Sequence, residues 1–229
     1  MDLEEKQNSL VEEKENRMKI ELDNNNGDRA IYFPKDRIEI IKSSIENIIR
    51  AIGDNPEREG LRKTPERYAK ALVEVLSGYF QSPEEIINGA IFEQDYSGMV
   101  IVKNIRFFSM CEHHILPFFG ICSAAYFPQG KIIGLSKIPR IVRFFASRLQ
   151  VQERMTEQIG KFIEEAINPE GVAVYISAHH LCLAMRGAKK EDVKMETLYF
   201  SGKFEKDFEL KKIFLQQVKD VDRNNINSI

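Results

Sequence analysis

The chain of 229 residues is poor in several residue types: it has no Trp, three Cys and four His, and its formal net charge is −2. Three cysteines are too few, and an odd number, for a disulfide scaffold, so reduced thiols or metal ligands are expected. The balanced charge gives no reason to expect a nucleic-acid partner. The apolar-rich run Ile115–Phe127 has 13 residues and contains Pro117 and Gly120, whereas a bilayer span needs about 18 to 20. We therefore expect no membrane partner.

The amino-terminal segment is polar and acidic. Its first thirty residues contain nine acids and five bases, with neither the basic start nor the apolar core of a secretory signal. A cytoplasmic location is the resulting expectation. We predict a disordered acidic tail over residues 1–30 and a flexible carboxyl terminus over residues 221–229.

Between these ends the hydrophobic pattern changes once. Isoleucines at helical spacing from Ile38 to Ile52, and a helix opening at Thr64, predict a helical amino-terminal region over residues 31–95. Residues 96–220 have β-type runs, then a helix that Ser136 could cap, then a helix with an apolar face at Met155, Ile159 and Ile163, then further β-type runs. This order predicts an α+β fold.

The scarce histidines and cysteines are concentrated in two short segments. All four His lie beside a Cys, in the mirrored order Cys111-Glu112-His113-His114 and His179-His180-Leu181-Cys182. Thiolate and imidazole groups that converge are typical of a zinc site. An extended backbone pairs Cys111 with His113, and Cys182 with His180 by the same rule, whereas a turn pairs Cys111 with His114. The residues alone leave this choice open.

A catalytic zinc site uses three protein ligands and a water in the fourth position. Two simpler interpretations compete with such a site here. A single buried His usually packs and bonds to a carbonyl, but that explanation is weak when every His lies near a Cys. A closed structural zinc with two Cys and two His is a stronger competitor, although it leaves two His unexplained. Cys122 lies in a β-type run and is interpreted as a buried core thiol.

Several longer motifs resemble the GTP cyclohydrolase I family in order and spacing, over about residues 37–220. They are Gly60-Leu61-Arg62-Lys63-Thr64-Pro65-Glu66-Arg67, the first Cys/His segment with Pro117-Phe118-Phe119-Gly120, Gly134-Leu135-Ser136-Lys137, Arg148-Leu149-Gln150-Val151-Gln152-Glu153-Arg154, and His180-Leu181-Cys182 with Met185-Arg186-Gly187. The resemblance implies a tunnelling fold, which is an antiparallel sheet with helices on one face, plus a helical amino-terminal segment. It also implies a homodecamer with active sites between subunits.

The resemblance implies Zn²⁺ as the cofactor, with Cys111, His114 and Cys182 as its ligands. It assigns proton transfer to His113 and His180, and it leaves His179 incidental. The implied reaction is hydrolytic opening of the imidazole ring of GTP, with release of formate and formation of 7,8-dihydroneopterin triphosphate.

The resemblance also implies a set of contacts to GTP. Glu153 would accept hydrogen bonds from guanine, with Gln152 alongside, and Ser136 would act near the ribose. Cationic side chains would bind the triphosphate, since guanidinium and ammonium groups pair well with phosphate oxygens. These are Lys137, Arg140, Arg186 and, from another subunit, Arg67.

Two alternatives and one departure accompany this interpretation. The alternatives are a same-fold enzyme acting on another pterin or deazapurine, which would need a catalytic Cys and a nicotinamide cofactor, and a non-catalytic zinc-stabilised regulatory subunit, which would need four protein ligands. The departure is the run Lys194–Tyr199, which keeps one Thr, Thr197, where the family usually has a Thr/Ser-rich strand.

Overall fold

The computed structural model describes residues 17–22, 29–187, 189 and 192–219. It divides into two compact units, Met1–Phe80 and Gln81–Ile229. The division falls earlier than the predicted boundary between residues 95 and 96. Residues 81–95 belong to the second unit because Ile86 is buried in its core and Ile91–Glu93 pairs with its strand Lys131–Ile133.

The first unit combines a β-hairpin with two helices. Strands β1 (Arg17–Leu22) and β2 (Arg29–Pro34) are antiparallel, and helices α1 (Lys35–Ala51) and α2 (Thr64–Val75) follow, with a short 3₁₀ helix at Ser77–Phe80. Its core contains apolar residues from all four elements: Ile20, Ile31, Phe33, Ile38, Ala69 and Val73.

The hairpin includes residues that the sequence assigns to a disordered tail. In β1, Met18 and Ile20 alternate with charged neighbours, and this period of two places both on the core side of the strand. Three residues of alternation at the edge of an acidic segment are too short a signal to separate from disorder. Residues 1–16 and 23–28 of the predicted tail, and the predicted flexible residues 221–229, lie outside the described part of the chain.

The second unit is built on a five-stranded sheet. Its strands are β4 (Val100–Cys111), β5 (Pro117–Phe127), β7 (Leu149–Gln150), β8 (Gly171–His180) and β9 (Met195–Phe200), in the order β7-β4-β5-β8-β9. Neighbours are antiparallel except β4 and β7. The remaining elements are α3 (Pro83–Ile87), β3 (Ile91–Glu93), β6 (Lys131–Ile133), α4 (Lys137–Ala146), α5 (Gln152–Ile167), α6 (Leu181–Ala184), α7 (Lys203–Lys206) and α8 (Phe208–Lys219).

Helices lie against both faces of this sheet. Ile141 of α4 and Ile159 of α5 are fully buried in the larger core, together with Val174 and other inward residues of β4, β5 and β8. On the opposite face, Phe204 of α7 and Phe214 of α8 pack against Tyr175 and its neighbours. The α+β class is confirmed, but the expectation of helices on one face misses α7 and α8. Strand β8 is buried on both faces along residues 171–178, which is the pattern of a strand covered twice.

No helix in the described part of the chain is both long and apolar enough to cross a membrane.

Candidate active site

The first Cys/His segment forms a tight turn at the end of β4. Cys111 N–H donates to the Leu116 carbonyl at 2.8 Å, and Ile115 N–H donates to the Cys111 carbonyl at 2.8 Å. Ile115 has φ +52°, a left-handed conformation that is costly for a β-branched residue. The turn places the Nδ1 atoms of His113 and His114 each 3.9 Å from Cys111 Sγ.

The second segment completes a convergent group of donors. Strand β8 ends at His180, and the following helix α6 carries Cys182. Ligand atoms of Cys111, His114 and Cys182 all lie within 4.8 Å of one another. His113 also lies near Cys111 but is outside this group. The turn geometry is therefore the one present, of the two that the sequence left open.

These three donors fit zinc. Two sulfurs and one imidazole nitrogen match the donor preference of Zn²⁺, and ligand atoms around a tetrahedral zinc lie about 3.5 to 4 Å apart. Burial, followed by the neighbouring Cys111, raises the pKa of Cys182. A divalent cation held by Cys111, His114 and Cys182 would favour the thiolate forms of the two cysteines, because its positive charge stabilises them.

His180 is held in place by a ring stack and a hydrogen bond. Its imidazole lies parallel to the Phe118 ring, with 4.6 Å between centroids and 4° between planes. Its Nε2 lies 2.8 Å from Gln152 Oε1. Burial lowers the pKa of His180, and the Glu153 carboxylate partly opposes this. The imidazole is thus biased toward its neutral form, as a proton acceptor requires.

Gly120 lets β5 and β8 approach each other beside this stack. A Cβ on Gly120 would lie 2.0 Å from the Ser177 carbonyl oxygen. Any side chain there would push the two strands apart. Because Phe118 and His180 are cross-strand partners on these two strands, Gly120 preserves their contact.

Gln152 is buried, although the sequence predicts it as a guanine contact. None of its surface is exposed. Its Nε2 atom donates to the carbonyls of Met195 at 2.9 Å and Ile176 at 3.3 Å, and to Thr197 Oγ1 at 3.1 Å. Its amide is bonded entirely within the protein, so the side chain is not presented to a ligand in the described conformation.

The turn that carries Cys111 is tied to α5 by an ion pair. Arg154 binds the Glu112 carboxylate and also donates to Gln150 Oε1 and the Leu149 carbonyl, both at 3.1 Å. The hydrogen bond from Arg154 lowers the pKa of Glu112. Glu112 therefore remains an anion that anchors the turn, and it is not among the convergent donors.

The model of the family described as GTP cyclohydrolase I matches residues 41–219. The chain belongs to the GTP cyclohydrolase I family. The protein named GTP cyclohydrolase 1 from Chlorobium phaeovibrioides is 49% identical over 172 residues, which are 75% of this chain and 77% of that one. The protein of the same name from Pseudoalteromonas translucida is 48% identical over 179 residues, 78% of this chain and 97% of that one.

One solved structure of low sequence identity superposes only weakly on this chain. The crystal structure of the archaeosine synthase QueF-Like in the apo form superposes with a TM-score of 0.40 and 20% identity, over 48% of this chain and 97% of that chain. Membership of the GTP cyclohydrolase I family supports GTP cyclohydrolase activity for this chain.

The other predicted site residues of this GTP cyclohydrolase I family member are spread over several elements. Glu153 and Arg186 are exposed near the second segment. The Glu153 carboxylate opposes the lowering of the His180 pKa, and the Arg186 guanidinium opposes the rise of the Cys182 pKa. At the start of α4, Ser136 is exposed and makes no side-chain cap bond, Lys137 is buried and Arg140 is half-buried. Arg67 is exposed on α2 of the first unit.

One predicted core thiol, Cys122, and two residues without a predicted role, Phe118 and Arg154, complete the description of the site. Cys122 is buried, and burial raises its pKa far above the usual range, so it remains a neutral core thiol. The ring partner Phe118 and the anchoring Arg154 had no assigned role. The sequence does contain a signal for Phe118: it is an aromatic residue in the motif that follows Cys111. Its partner becomes clear only when β5 and β8 are paired, because Phe118 then lies opposite His180.

Proposed function

We propose that the chain catalyses zinc-dependent hydrolytic opening of the imidazole ring of GTP, releasing formate and forming 7,8-dihydroneopterin triphosphate. The observation that carries the proposal is the convergence of Cys111, His114 and Cys182, with His113 and His180 beside them, in a member of the GTP cyclohydrolase I family. Water adds at C8 and the bond from C8 to N9 breaks, which leaves a formamide on N7. A second water cleaves the bond from C8 to N7 and releases C8 as formate, and closure of the rearranged ribose carbons onto the freed nitrogen returns one water.

The two remaining histidines transfer protons in this proposal. Zinc held by Cys111, His114 and Cys182 supplies Lewis acidity, which makes water a nucleophile near neutral pH. C8 of guanine is a poor electrophile, so protonation at N7 must accompany attack. His113, exposed and 3.9 Å from Cys111 Sγ, donates this proton, and His180 accepts and returns protons as the ring opens.

The remaining charged residues bind the nucleotide in this proposal. The exposed carboxylate of Glu153 accepts hydrogen bonds from guanine N1–H and the 2-amino group, a pair of donors that adenine lacks. Lys137, Arg140 and Arg186 bind the triphosphate. Ser136, exposed at the start of α4, acts near the ribose while its carbons rearrange.

Incubating the zinc-loaded protein with GTP tests the reaction directly. Formate release and the fluorescence of oxidised neopterin should rise together, and ATP should give neither. The variant His113→Ala should keep its zinc and lose turnover, by about 10²- to 10⁴-fold for a missing proton-transfer group. Absence of formate from the zinc-loaded wild-type protein would reject the reaction, and full turnover by His113→Ala would reject that residue's role.

We further propose that the second unit adopts the tunnelling fold and that the chain assembles as a homodecamer, with Arg67 reaching the triphosphate of another subunit. Light scattering should give about ten times the chain mass of 26.5 kDa. Arg67→Ala and Cys182→Ala subunits should each be inactive alone, and turnover should reappear when they are mixed and reassembled, since some sites then combine two intact contributions. Mixtures as inactive as their parents would place Arg67 in its own subunit's site or outside any site.

A further inference from the structure

The hydrogen bonds of Gln152 fix which way its amide points. Backbone carbonyls only accept hydrogen bonds, so the side-chain atom that faces the Ile176 and Met195 carbonyls must be the nitrogen. The amide oxygen is therefore the atom 2.8 Å from His180 Nε2. If the amide were flipped, its oxygen would face two carbonyl oxygens, which cannot donate a hydrogen bond, and its NH₂ group would face His180 Nε2.

The neighbouring hydroxyl groups support the same direction. Thr156 Oγ1 donates to the Gln152 carbonyl at 2.7 Å, which leaves its lone pairs for the Thr197 hydroxyl at 2.6 Å. With its own hydrogen directed to Thr156, the Thr197 oxygen accepts from Gln152 Nε2 at 3.1 Å. Every donor in this chain of bonds then has an acceptor, and the direction of each bond is determined.

The direction of these bonds determines the tautomer of His180. A Gln oxygen can only accept, so His180 Nε2 must carry a hydrogen. In the neutral imidazole the other nitrogen, Nδ1, then has the free lone pair. The stack on Phe118 sets the plane of the ring, and the bond to Gln152 sets its rotation within that plane.

We propose that Gln152 is a positioning residue that holds His180 as the Nε2–H tautomer and thereby makes Nδ1 the atom that accepts and returns protons during GTP ring opening. The tautomer follows from the hydrogen bonds alone, whereas its use in turnover rests on the proposed function. This assignment replaces a guanine contact for Gln152, whose amide has no surface to offer a ligand.

The side-chain amide of Gln152 has partners on two strands. Gln152 opens α5, Ile176 lies in β8, and Met195 and Thr197 lie in β9. The single threonine retained in the run Lys194–Tyr199 is the one that bonds to Gln152. Strand β9 is thus linked to His180 through the amide of Gln152.

The tautomer can be measured without any substrate. Solid-state NMR of the zinc-loaded protein, labelled with ¹⁵N-histidine and kept above pH 8 so that the imidazoles are neutral, separates protonated from bare ring nitrogens. Subtracting the spectrum of His180→Phe identifies the His180 signals. We expect a protonated Nε2 and a bare Nδ1 in the wild-type protein, and a protonated Nδ1 there would overturn the proposal.

Gln152→Met and a matched control test the cause. Methionine has a similar size and no hydrogen-bonding group to orient the imidazole, so the His180 signals should show a mixture of tautomers. Gln150→Met removes another buried glutamine amide, whose contacts are to Phe145, Gln158 and Arg154, and should leave the His180 tautomer unchanged. A wild-type tautomer in Gln152→Met, or an equal change in both variants, would reject the role of Gln152.

Among variants of Gln152, turnover should depend on whether an oxygen atom faces His180 and not on how stable the variant is. Gln152→Met should lower kcat for GTP about 10- to 100-fold with KM changed less than about threefold, since proton transfer and not binding is affected. Gln152→Glu keeps an oxygen toward His180 but places a carboxyl group against two carbonyls. It should therefore be the less stable variant and the more active one.

The opposite order, with activity following stability, would reduce Gln152 to a structural residue. If Gln152→Met does not fold, the wild-type spectrum still decides the tautomer. A wild-type protein with the expected tautomer but no formate release from GTP would reject the proposed function and leave the hydrogen-bond assignment standing.

Discussion

The two segments that carry the candidate metal donors both contain Cys and His but are held by different forces. The turn at Cys111–Leu116 carries exposed imidazoles at His113 and His114, and it is fastened by a surface ion pair. The segment ending β8 is an extension of a strand buried on both faces, and its His180 is held by a ring stack and a buried amide. Geometry at the first segment is local, whereas geometry at the second depends on the whole core.

The candidate site thus combines an adaptable turn at Cys111–Leu116 with a rigid end of β8. Exposed groups on a turn can adjust to a ligand at little cost, because few packed atoms must move. Moving His180 would disturb Phe118 and Gln152, neither of which has exposed surface. Substitutions and changes of pH or salt can separate these two modes of support.

Removing a proposed metal ligand from either segment should have the largest effect, and the same effect in both. Cys111→Ala and Cys182→Ala should both reduce bound zinc from about one ion per chain to none and abolish formate release, because two remaining donors do not make a zinc site. Elemental analysis after gel filtration measures the zinc. Cys122→Ala removes a buried thiol outside the group and should keep both zinc and turnover. Stoichiometric zinc in either ligand variant would contradict the assignment.

Crowding the contact between α5 and β9 should destabilise the core that supports the second segment. A Cβ on Gly160 would lie 2.2 Å from the Tyr199 ring, so Gly160→Ala must displace this ring or the backbone that carries it. The substitution should cost about 1 to 3 kcal/mol in the free energy of unfolding. Denaturant titration measures this cost. In Gly134→Ala the nearest atom to the new Cβ lies at 3.4 Å, and this control should change stability by less than about 0.5 kcal/mol.

The same contact should make stability sensitive to alkaline pH. Burial, with the hydrogen bond to Glu164, raises the pKa of Tyr199 to about 12, whereas an unfolded tyrosine ionises near pH 10. Between these values the folded chain keeps a proton that the unfolded chain has lost, so stability falls as pH rises. Tyr199→Phe should reduce the slope of the free energy of unfolding over pH 10–12. An unchanged slope would show that Tyr199 ionises normally.

The smallest effect is expected at the anchor of the first segment. Glu112→Gln removes the charge of an exposed ion pair with Arg154 but can keep a hydrogen bond, so zinc content should remain at the wild-type level. Any decrease in the melting temperature should be visible at low ionic strength and disappear near 1 M salt, where the Debye length is about 3 Å. A salt-independent decrease would mean that the turn relies on this carboxylate for packing.

The parts of the fold that depend on local periodicity were predictable. The apolar face of α5 at Met155, Ile159 and Ile163 is buried as its spacing indicates. Residues 17–22 were missed because a six-residue strand in an acidic segment has little pattern to detect. The cover of the second sheet face by α7 and α8 was missed as well, since a helix pattern does not specify which face the helix covers.

The candidate site was predictable as a cluster but not as a geometry. Scarcity drew attention to the two Cys/His segments, yet the choice between His113 and His114 depends on backbone bonds that close a turn. The partners of Gln152 lie 24, 43 and 45 residues away from it in the chain. No local pattern reports such contacts, because they exist only after β8 and β9 have been placed beside α5.

The unfavourable backbone of Ile115 has a thermodynamic consequence for metal binding. Two backbone hydrogen bonds hold the turn on either side of this residue, so folding of the β4–β5 hairpin orders the turn and compensates its strain. The turn therefore loses its conformational entropy when the chain folds, and little further entropy would be lost when a metal binds. In the proposed zinc site, the contribution of Cys111 and His114 to the affinity would therefore depend on the stability of this hairpin. Loosening the hairpin should weaken zinc binding without altering a single ligand.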